Sequence, residues 1–274
     1  MKKMSMMRWA WKALKKPISV PAKRLLGAIT HAETSEPVLA LTFDDGPHPE
    51  YTLRILELLD HYRARATFFC VGKFAVRHPQ IVRQASQAGH LVGNHTWDHP
   101  SLPLLTHRER HVQIRKCAEA LKPYGSRFFR PPYGHLTLAS RLDLLQQGYQ
   151  VVGWTHGGSD WRLTDPEEIL KCVLPAIRPG SILVFHDGMA TSQSPDYFDR
   201  RPSIEALKLL FERFSDKYRF VTVPELGQYG HIKREKWLRD SDPAWLNKLI
   251  EEGNLPGRQY PLAPEMGGTH YFKN

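Results

Sequence analysis

No apolar run in this chain approaches the ~20 residues that a membrane-spanning helix needs, which excludes a transmembrane helix from the reading. Cysteine is sparse: Cys70, Cys117 and Cys172 are far apart and form no CxxC pair. That excludes a disulfide framework and a thiolate zinc site, and it suits a reducing compartment. Internal repeats and low-complexity blocks are also missing. What remains is an ordinary folding composition, 274 residues with 41% hydrophobic and 24% charged content. It is enough for one sizeable core of the barrel or sandwich kind, or two small domains at most.

The net charge of +10 is concentrated at one end. Residues 1–34 hold eight Lys or Arg against the single acid Glu33, while the rest of the chain holds 30 basic and 27 acidic residues. The body is therefore nearly neutral and lacks the basic face or binding motif of a nucleic-acid partner. The positive N-terminus has the charge of a signal peptide. However, Lys12, Lys15, Lys16 and Pro17 interrupt it, and Leu25–Ile29 is too short for an h-region of about 7–15 residues. The segment is read as uncleaved and the chain as cytoplasmic. Within this arm Met4, Met7, Trp11 and Leu14 recur at helical spacing amid lysines, the pattern of a basic amphipathic helix able to rest on the inner face of a membrane. A disordered basic arm is the competing reading.

Three parts are expected: the arm (1–34), a patterned body (35–228) and a C-terminal extension (229–274). The body alternates short apolar runs with helix-period segments. Strands are expected at Val38–Phe43, Thr67–Val71, Leu91–Gly93, Phe128–Arg130, Val151–Trp154, Ile182–Phe185 and Phe220–Val223. Seven continuous apolar strands separated by helices predict an α/β fold with a parallel sheet, either a barrel or a doubly wound sheet. In the extension, Trp237, Trp245, Leu246, Leu249 and Ile250 are expected to pack against the body or a second subunit.

Unusual polar residues fall at the ends of these strands. Asp44 and Asp45 close the first, His95 and His99 follow the third, Arg130 ends the fourth, Asp160 and Trp161 follow the fifth, and His186 and Asp187 end the sixth. In parallel α/β folds the C-terminal strand ends share one mouth, so these groups should converge. His95 and His99, four apart, with a carboxylate from Asp45, make a three-donor set with an open position, suited to zinc or another first-row divalent ion. Asp44 is then free to act as general base on the attacking water. Asp-Gly-Pro is good turn chemistry, which accounts for Asp45 and Gly46 but gives no reason for Asp44. His186 has the ordinary titration range of an acid for a departing amine, and Arg130 could orient Asp44 through a charge-assisted hydrogen bond.

TFDDGP (42–47), HTWDH (95–99), RPPYG (130–134), SDW (159–161) and LVFHD (183–187) occur together in this order, and the chain thereby resembles the polysaccharide deacetylase family over residues 37–228. ATFF (66–69) and FVTVPEL (220–226) are similar too. The resemblance implies a distorted (β/α) barrel of about seven parallel strands and one divalent metal, Zn2+ or alternatively Co2+, Ni2+ or Mn2+, on Asp45, His95 and His99. It implies Asp44 as base, His186 as acid, Arg130 tethering Asp44, Asp160 tuning His186, and the Tyr133 backbone N–H at the oxyanion. Tyr133, Trp161 and Val184 would contact substrate, an N-acetylated saccharide that is polymeric, oligomeric or lipid-linked. The family often has an aspartate where this chain has Gly157, so altered loop geometry is expected there. A deformylase or other amide hydrolase on the same fold, and a non-catalytic glycan-binding relative, are the alternatives.

Overall fold

A computed structural model describes residues 26–190 and 198–251. Its centre is the strand β2 (Val38–Asp44), whose seven residues are all buried. Strands β3 (Ala66–Cys70), β4 (Leu91–Asn94), β5 (Gly125–Phe129) and β6 (Gln150–Val151) follow on one side of it. On the other lie β8 (Ile182–His186) and β7 (His156–Gly157), giving the order β6-β5-β4-β3-β2-β8-β7. Every neighbouring pair on this path is parallel. The short β9 (Arg219–Phe220) adds to the start of β2. The expected seven-stranded parallel α/β architecture is present as a curled, open barrel.

Two expected strands differ in detail. Val151–Trp154 does not run as one strand: the chain pairs at β6 on one edge of the sheet, crosses the open seam, and pairs again at β7 on the opposite edge. Phe220–Val223 shrinks to a two-residue pairing, after which Val223 N–H donates to Thr67 Oγ1. Ala28–Glu33, within the segment taken as the arm, form a strand, β1. It lies along the seam: Ile29 bridges Val152, and Ala32 N–H donates to the Gly180 carbonyl. From the C-terminal extension, β10 (His231–Glu235) pairs antiparallel with β1. The amphipathic pattern of Met4, Met7, Trp11 and Leu14 lies outside the described residues, as do residues 252–274.

Between the strands run α1 (Tyr51–His61), α2 (Gly72–Arg77), α3 (Pro79–Gln87), α4 (His107–Ala120), α5 (Leu138–Gln146), α6 (Pro166–Val173) and α7 (Arg201–Phe214). The short α8 (Leu226–Tyr229) and α9 (Pro243–Glu251) follow. Local chemistry sets several starts. Thr106 and Glu109 form a capping box on α4, and Asp165 accepts from two backbone N–H groups of α6 ahead of Pro166 at its first position. The main core joins Phe43, Phe68 and Phe185 of the sheet to Ile55, Leu59, Leu207 and Phe211 of the helices. Each such fully buried side chain contributes roughly 1.5–3 kcal/mol. Among the described residues no helix is long and apolar enough to cross a membrane.

Candidate active site

The mouth of the barrel is built on strained backbone. Six non-glycine residues among those described have positive φ, and five lie in strand-end loops: Asp45 (75°), Thr96 (70°), His99 (64°), Tyr133 (58°) and Ser159 (53°). Such a conformation costs on the order of 1–3 kcal/mol per residue and persists only where neighbours enforce it. Here they do. Asn94, buried at the end of β4, accepts from Thr96 N–H with Oδ1 and donates through Nδ2 to the Ile114 carbonyl and Tyr149 Oη. Thr96 Oγ1 in turn accepts from His99 N–H, and the Thr96 carbonyl accepts from Gly72 N–H.

This winding brings His95 and His99 to one point, with ring centroids 4.9 Å apart. Asp45 Oδ1 lies 3.5 Å from His95 Nε2 and 3.1 Å from His99 Nε2, all three side chains being buried. His95 Nδ1 is 2.7 Å from the Arg130 carbonyl, so it donates there and leaves Nε2 with its lone pair toward Asp45. Burial keeps the His99 ring below its usual range, toward the neutral form that ligates cations. Burial also opposes ionisation of Asp45, but attraction to the His99 and His95 rings when these carry a proton on Nε2 outweighs it and holds that carboxyl well below its usual range. Asp45 Oδ1 has no hydrogen-bond partner in spite of its burial, while Oδ2 accepts from Ala190 N–H. A buried anionic oxygen left between two imidazole nitrogens is an orphan that a cation would satisfy. The donor set therefore fits one divalent metal.

Asp44 and His186 are register partners across the β2–β8 pair, so they emerge side by side. Each is held by its own partner. Arg130, fully buried, donates from Nη1 to Asp44 Oδ1 at 2.8 Å and to Thr42 Oγ1, and from Nη2 to the Gly153 carbonyl. Its guanidinium stacks 4.3 Å from the Phe69 ring centroid. A charge this deep costs several kcal/mol unless so compensated. His186 Nδ1 lies 2.8 Å from Asp160 Oδ1, and His186 N–H donates to Asp160 Oδ2. Asp160 is fixed further by Ser203 Oγ, and its carbonyl accepts from Arg200. Burial alone would depress the His186 imidazole, but the Asp160 carboxylate outweighs it and lifts it to about 9. Its side chain remains 19% exposed at the mouth.

The other expected residues are placed as follows. Tyr133 sits in the left-handed turn after β5, its ring 4.6 Å from that of His99. Val184 lies two residues before His186 on the same face of β8, and a Cβ at Gly157 would come within 2.8 Å of its Cγ1. The glycine at this departure from the family pattern thus keeps clear the side chain expected at the substrate methyl. Trp161, next to Asp160, is 43% exposed beneath the Arg162 guanidinium.

Two contributors were named from the sequence without a role in the site. Asp187, at the end of the sixth expected strand, is buried, and burial raises its carboxyl to about 7. It accepts from Gly46 N–H and from Thr52 Oγ1, which pins the loop carrying Asp45. A Cβ at Gly46 would strike that carboxylate at 2.1 Å, so only glycine fits there. Trp237, from the extension, donates through Nε1 to the Gly134 carbonyl at 3.0 Å and packs against Trp154. Arg239 caps it at 4.1 Å and forms a two-way backbone bridge with Leu136. Leu246 is buried as well, while the side chains of Trp245, Leu249 and Ile250 lie outside the description.

An open parallel barrel whose mouth gathers a His–His–carboxylate set beside separately paired aspartate and histidine groups is the architecture of a metal-dependent hydrolase. Comparison with known proteins makes the class specific. The polysaccharide deacetylase family model matches residues 31–152. A chitooligosaccharide deacetylase of Azorhizobium caulinodans is 38% identical over 168 residues, 60% of this chain and 80% of the relative. A peptidoglycan-N-acetylglucosamine deacetylase of Bacillus cereus is 35% identical over 202 residues, 72% of this chain and 91% of the relative. Among solved structures, the Bc1960 peptidoglycan N-acetylglucosamine deacetylase superposes with a TM-score of 0.68 at 31% identity, covering 80% of this chain and all of that one. The chain belongs to the polysaccharide deacetylase family. The fold alone does not settle activity: BA3943 of Bacillus anthracis, a CE4 family pseudoenzyme, shares it at a TM-score of 0.66 and 23% identity, over 76% of this chain and 72% of its own.

Proposed function

We propose that this chain hydrolyses the N-acetyl group of an acetamido sugar, using one divalent cation held by Asp45, His95 and His99, with zinc the favoured ion and Co2+, Ni2+ or Mn2+ the alternatives. When bound, the ion supplies Lewis acidity, lowering the pKa of a coordinated water toward ~7 and polarising the acetyl carbonyl. Asp44 takes the proton from the attacking water, its carboxylate aimed by Arg130. The Tyr133 backbone N–H donates to the oxyanion of the tetrahedral adduct, a large term in acyl transfer generally. His186 gives its proton to the departing nitrogen as the carbon–nitrogen bond breaks, releasing acetate and the free amino sugar. Val184 and Trp161 bound the space for the methyl group and the sugar.

One observation carries this reading: Asp44 and His186 stand in register beside the donor set, one paired to a guanidinium and the other to a carboxylate. The guanidinium fixes the Asp44 carboxylate in place, and the Asp160 carboxylate favours the protonated form of His186, as a base and an acid at one site require. A silent glycan-binding relative would have no use for both pairs. The basic arm further supports a lipid-linked saccharide at the cytoplasmic face of a membrane as substrate.

Acetate and formate release from soluble chitooligosaccharides, peptidoglycan fragments and lipid-linked amino sugars tests these points together, with zinc-loaded chain carrying or lacking residues 1–25. Acetate is expected as product, with Asp44→Asn slower by roughly 10²–10⁴-fold. Deletion should impair only the lipid-linked substrate. Formate as the product, or a rate indifferent to Asp44→Asn, would overturn the assignment; equal loss on all substrates would remove the membrane role.

A further inference from the structure

A second trio of metal-ligand type comes together on the flank of the barrel. His107 and His111 are four apart on α4, which stacks their rings on one face with centroids 4.3 Å apart. Asp143 of α5 faces them, its Oδ1 2.8 Å from His107 Nδ1 and 3.9 Å from His111 Nε2. One donor atom from each of the three lies within 4.8 Å of the others. The second carboxylate oxygen accepts from Arg110 Nε, and Arg110 also donates to the Leu105 carbonyl. That grip turns Oδ1 toward the imidazoles, as outer partners orient carboxylate ligands in metal sites.

A simpler account makes this a hydrogen-bonded tie of His107, Asp143 and Arg110. It explains three residues and leaves the fourth aside. His111 Nε2 is buried with no hydrogen-bond partner among the described residues, yet it points at the same carboxylate oxygen. An orphaned imidazole nitrogen is costly in that position, and a cation bound to all three donors would satisfy it. Two imidazoles and one carboxylate suit a borderline first-row divalent ion with water as the fourth ligand. Calcium and magnesium, which favour six or more oxygens, are poorly served. The Arg110 charge, paired to the same carboxylate, draws on the donor strength of Asp143.

We infer that His107, His111 and Asp143 form a second divalent-cation site, for zinc or a similar ion, that staples α4 to α5. The helices it joins leave the two loops that hold His95 and His99 on one side and Tyr133 on the other. Occupancy therefore ties together the exits of those loops.

Zinc alone, added to untagged, metal-stripped full-length chain and followed by dialysis and atomic absorption, tests the inference. Wild type is expected to retain two equivalents, His111→Ala one, the double variant His95→Ala/His99→Ala one, and the triple variant none. Zinc should raise the melting temperature of the double variant and leave the triple variant unmoved. A single equivalent in wild type, or a second equivalent that survives His111→Ala, overturns the second site. If the double variant does not fold, His111→Ala in the wild-type background decides alone, by loss or retention of one equivalent. Loss of metal in the double variant reports separately on the mouth, so failure of either site can be told from failure of the other.

Discussion

Two regions of this molecule carry the same three donor types at the same HxxxH spacing, yet their surroundings are opposite in kind. His95 and His99 ride a strand-end loop of left-handed residues, buried with Asp45 and braced by Asn94, Thr96 and Asp187. His107 and His111 ride regular helix on the flank, and His107 is 63% exposed. Beside the first set stand two further polar groups, each held by its own partner, Asp44 by Arg130 and His186 by Asp160. Beside the second stands a guanidinium that secures the carboxylate. Donor identity is therefore a poor guide to catalysis. What separates the regions is enforced strain, burial and neighbouring proton carriers, and each can be perturbed alone.

The sharpest break is at the donor set itself. Asp45→Asn keeps the size of the side chain and removes its charge, so the mouth should lose its cation and the rate should fall by about a thousandfold or more, as expected for several kcal/mol of Lewis-acid stabilisation. Metal content and acetate release should fall together; a variant that keeps both would move the centre of catalysis away from Asp45. Next in size is Asp160→Asn. The Asp160 carboxylate lifts His186 from 6.5 to about 9 against the pull of burial. Without it, the acid should lose its proton at lower pH, so the alkaline limb of the kcat profile moves down while the acid limb stays. Stability follows the same sign: because the folded value is raised, this pair stabilises fully below pH 6.5 and loses its contribution as pH rises through about 9. The variant should thus show a flatter dependence of unfolding on pH in that window. An alkaline limb unmoved in metal-loaded Asp160→Asn would mean that another group donates the proton.

Legibility in the sequence divides along the same line. The mouth could be located because most of the apolar runs end on a polar residue, and parallel topology sends all those ends to one side: Asp44 and Asp45 after LALTF, His186 after ILVF. What escaped depended on partners remote in sequence. Ala28–Glu33 lies at the end of a basic arm with no strand periodicity of its own, and its pairing with His231–Glu235 spans most of the chain. Val151–Trp154 reads as one strand, although the chain uses it to cross the seam. Asp187 follows a strand as an ordinary turn residue would, and only its closeness to Gly46 and Thr52 gives it a second task. His107 and His111 have the spacing of a solvated helix face, and nothing local brings Asp143 to them.

The smallest expected effect probes whether the strain in the mouth is maintained from outside the family core. Trp237 reaches the Tyr133 turn by a single hydrogen bond to the Gly134 carbonyl, and its ring fills the space that Gly153 leaves. Trp237→Phe keeps an aromatic ring there but deletes the donor and part of the ring volume against Gly153. Loss of one neutral hydrogen bond costs about 1 kcal/mol, which corresponds to a rate change of about fivefold if it is felt wholly in the transition state. Under the proposed role of the Tyr133 N–H as a donor to the oxyanion and not to the resting carbonyl, kcat and kcat/KM should fall together with KM unchanged. A rise in KM at constant kcat would instead make Trp237 part of the sugar-binding surface. An unchanged kcat with a lower melting temperature would reduce the extension to a stabilising wrap, and the strained turn would then be held from within the barrel, where the Tyr133 ring packs on His99.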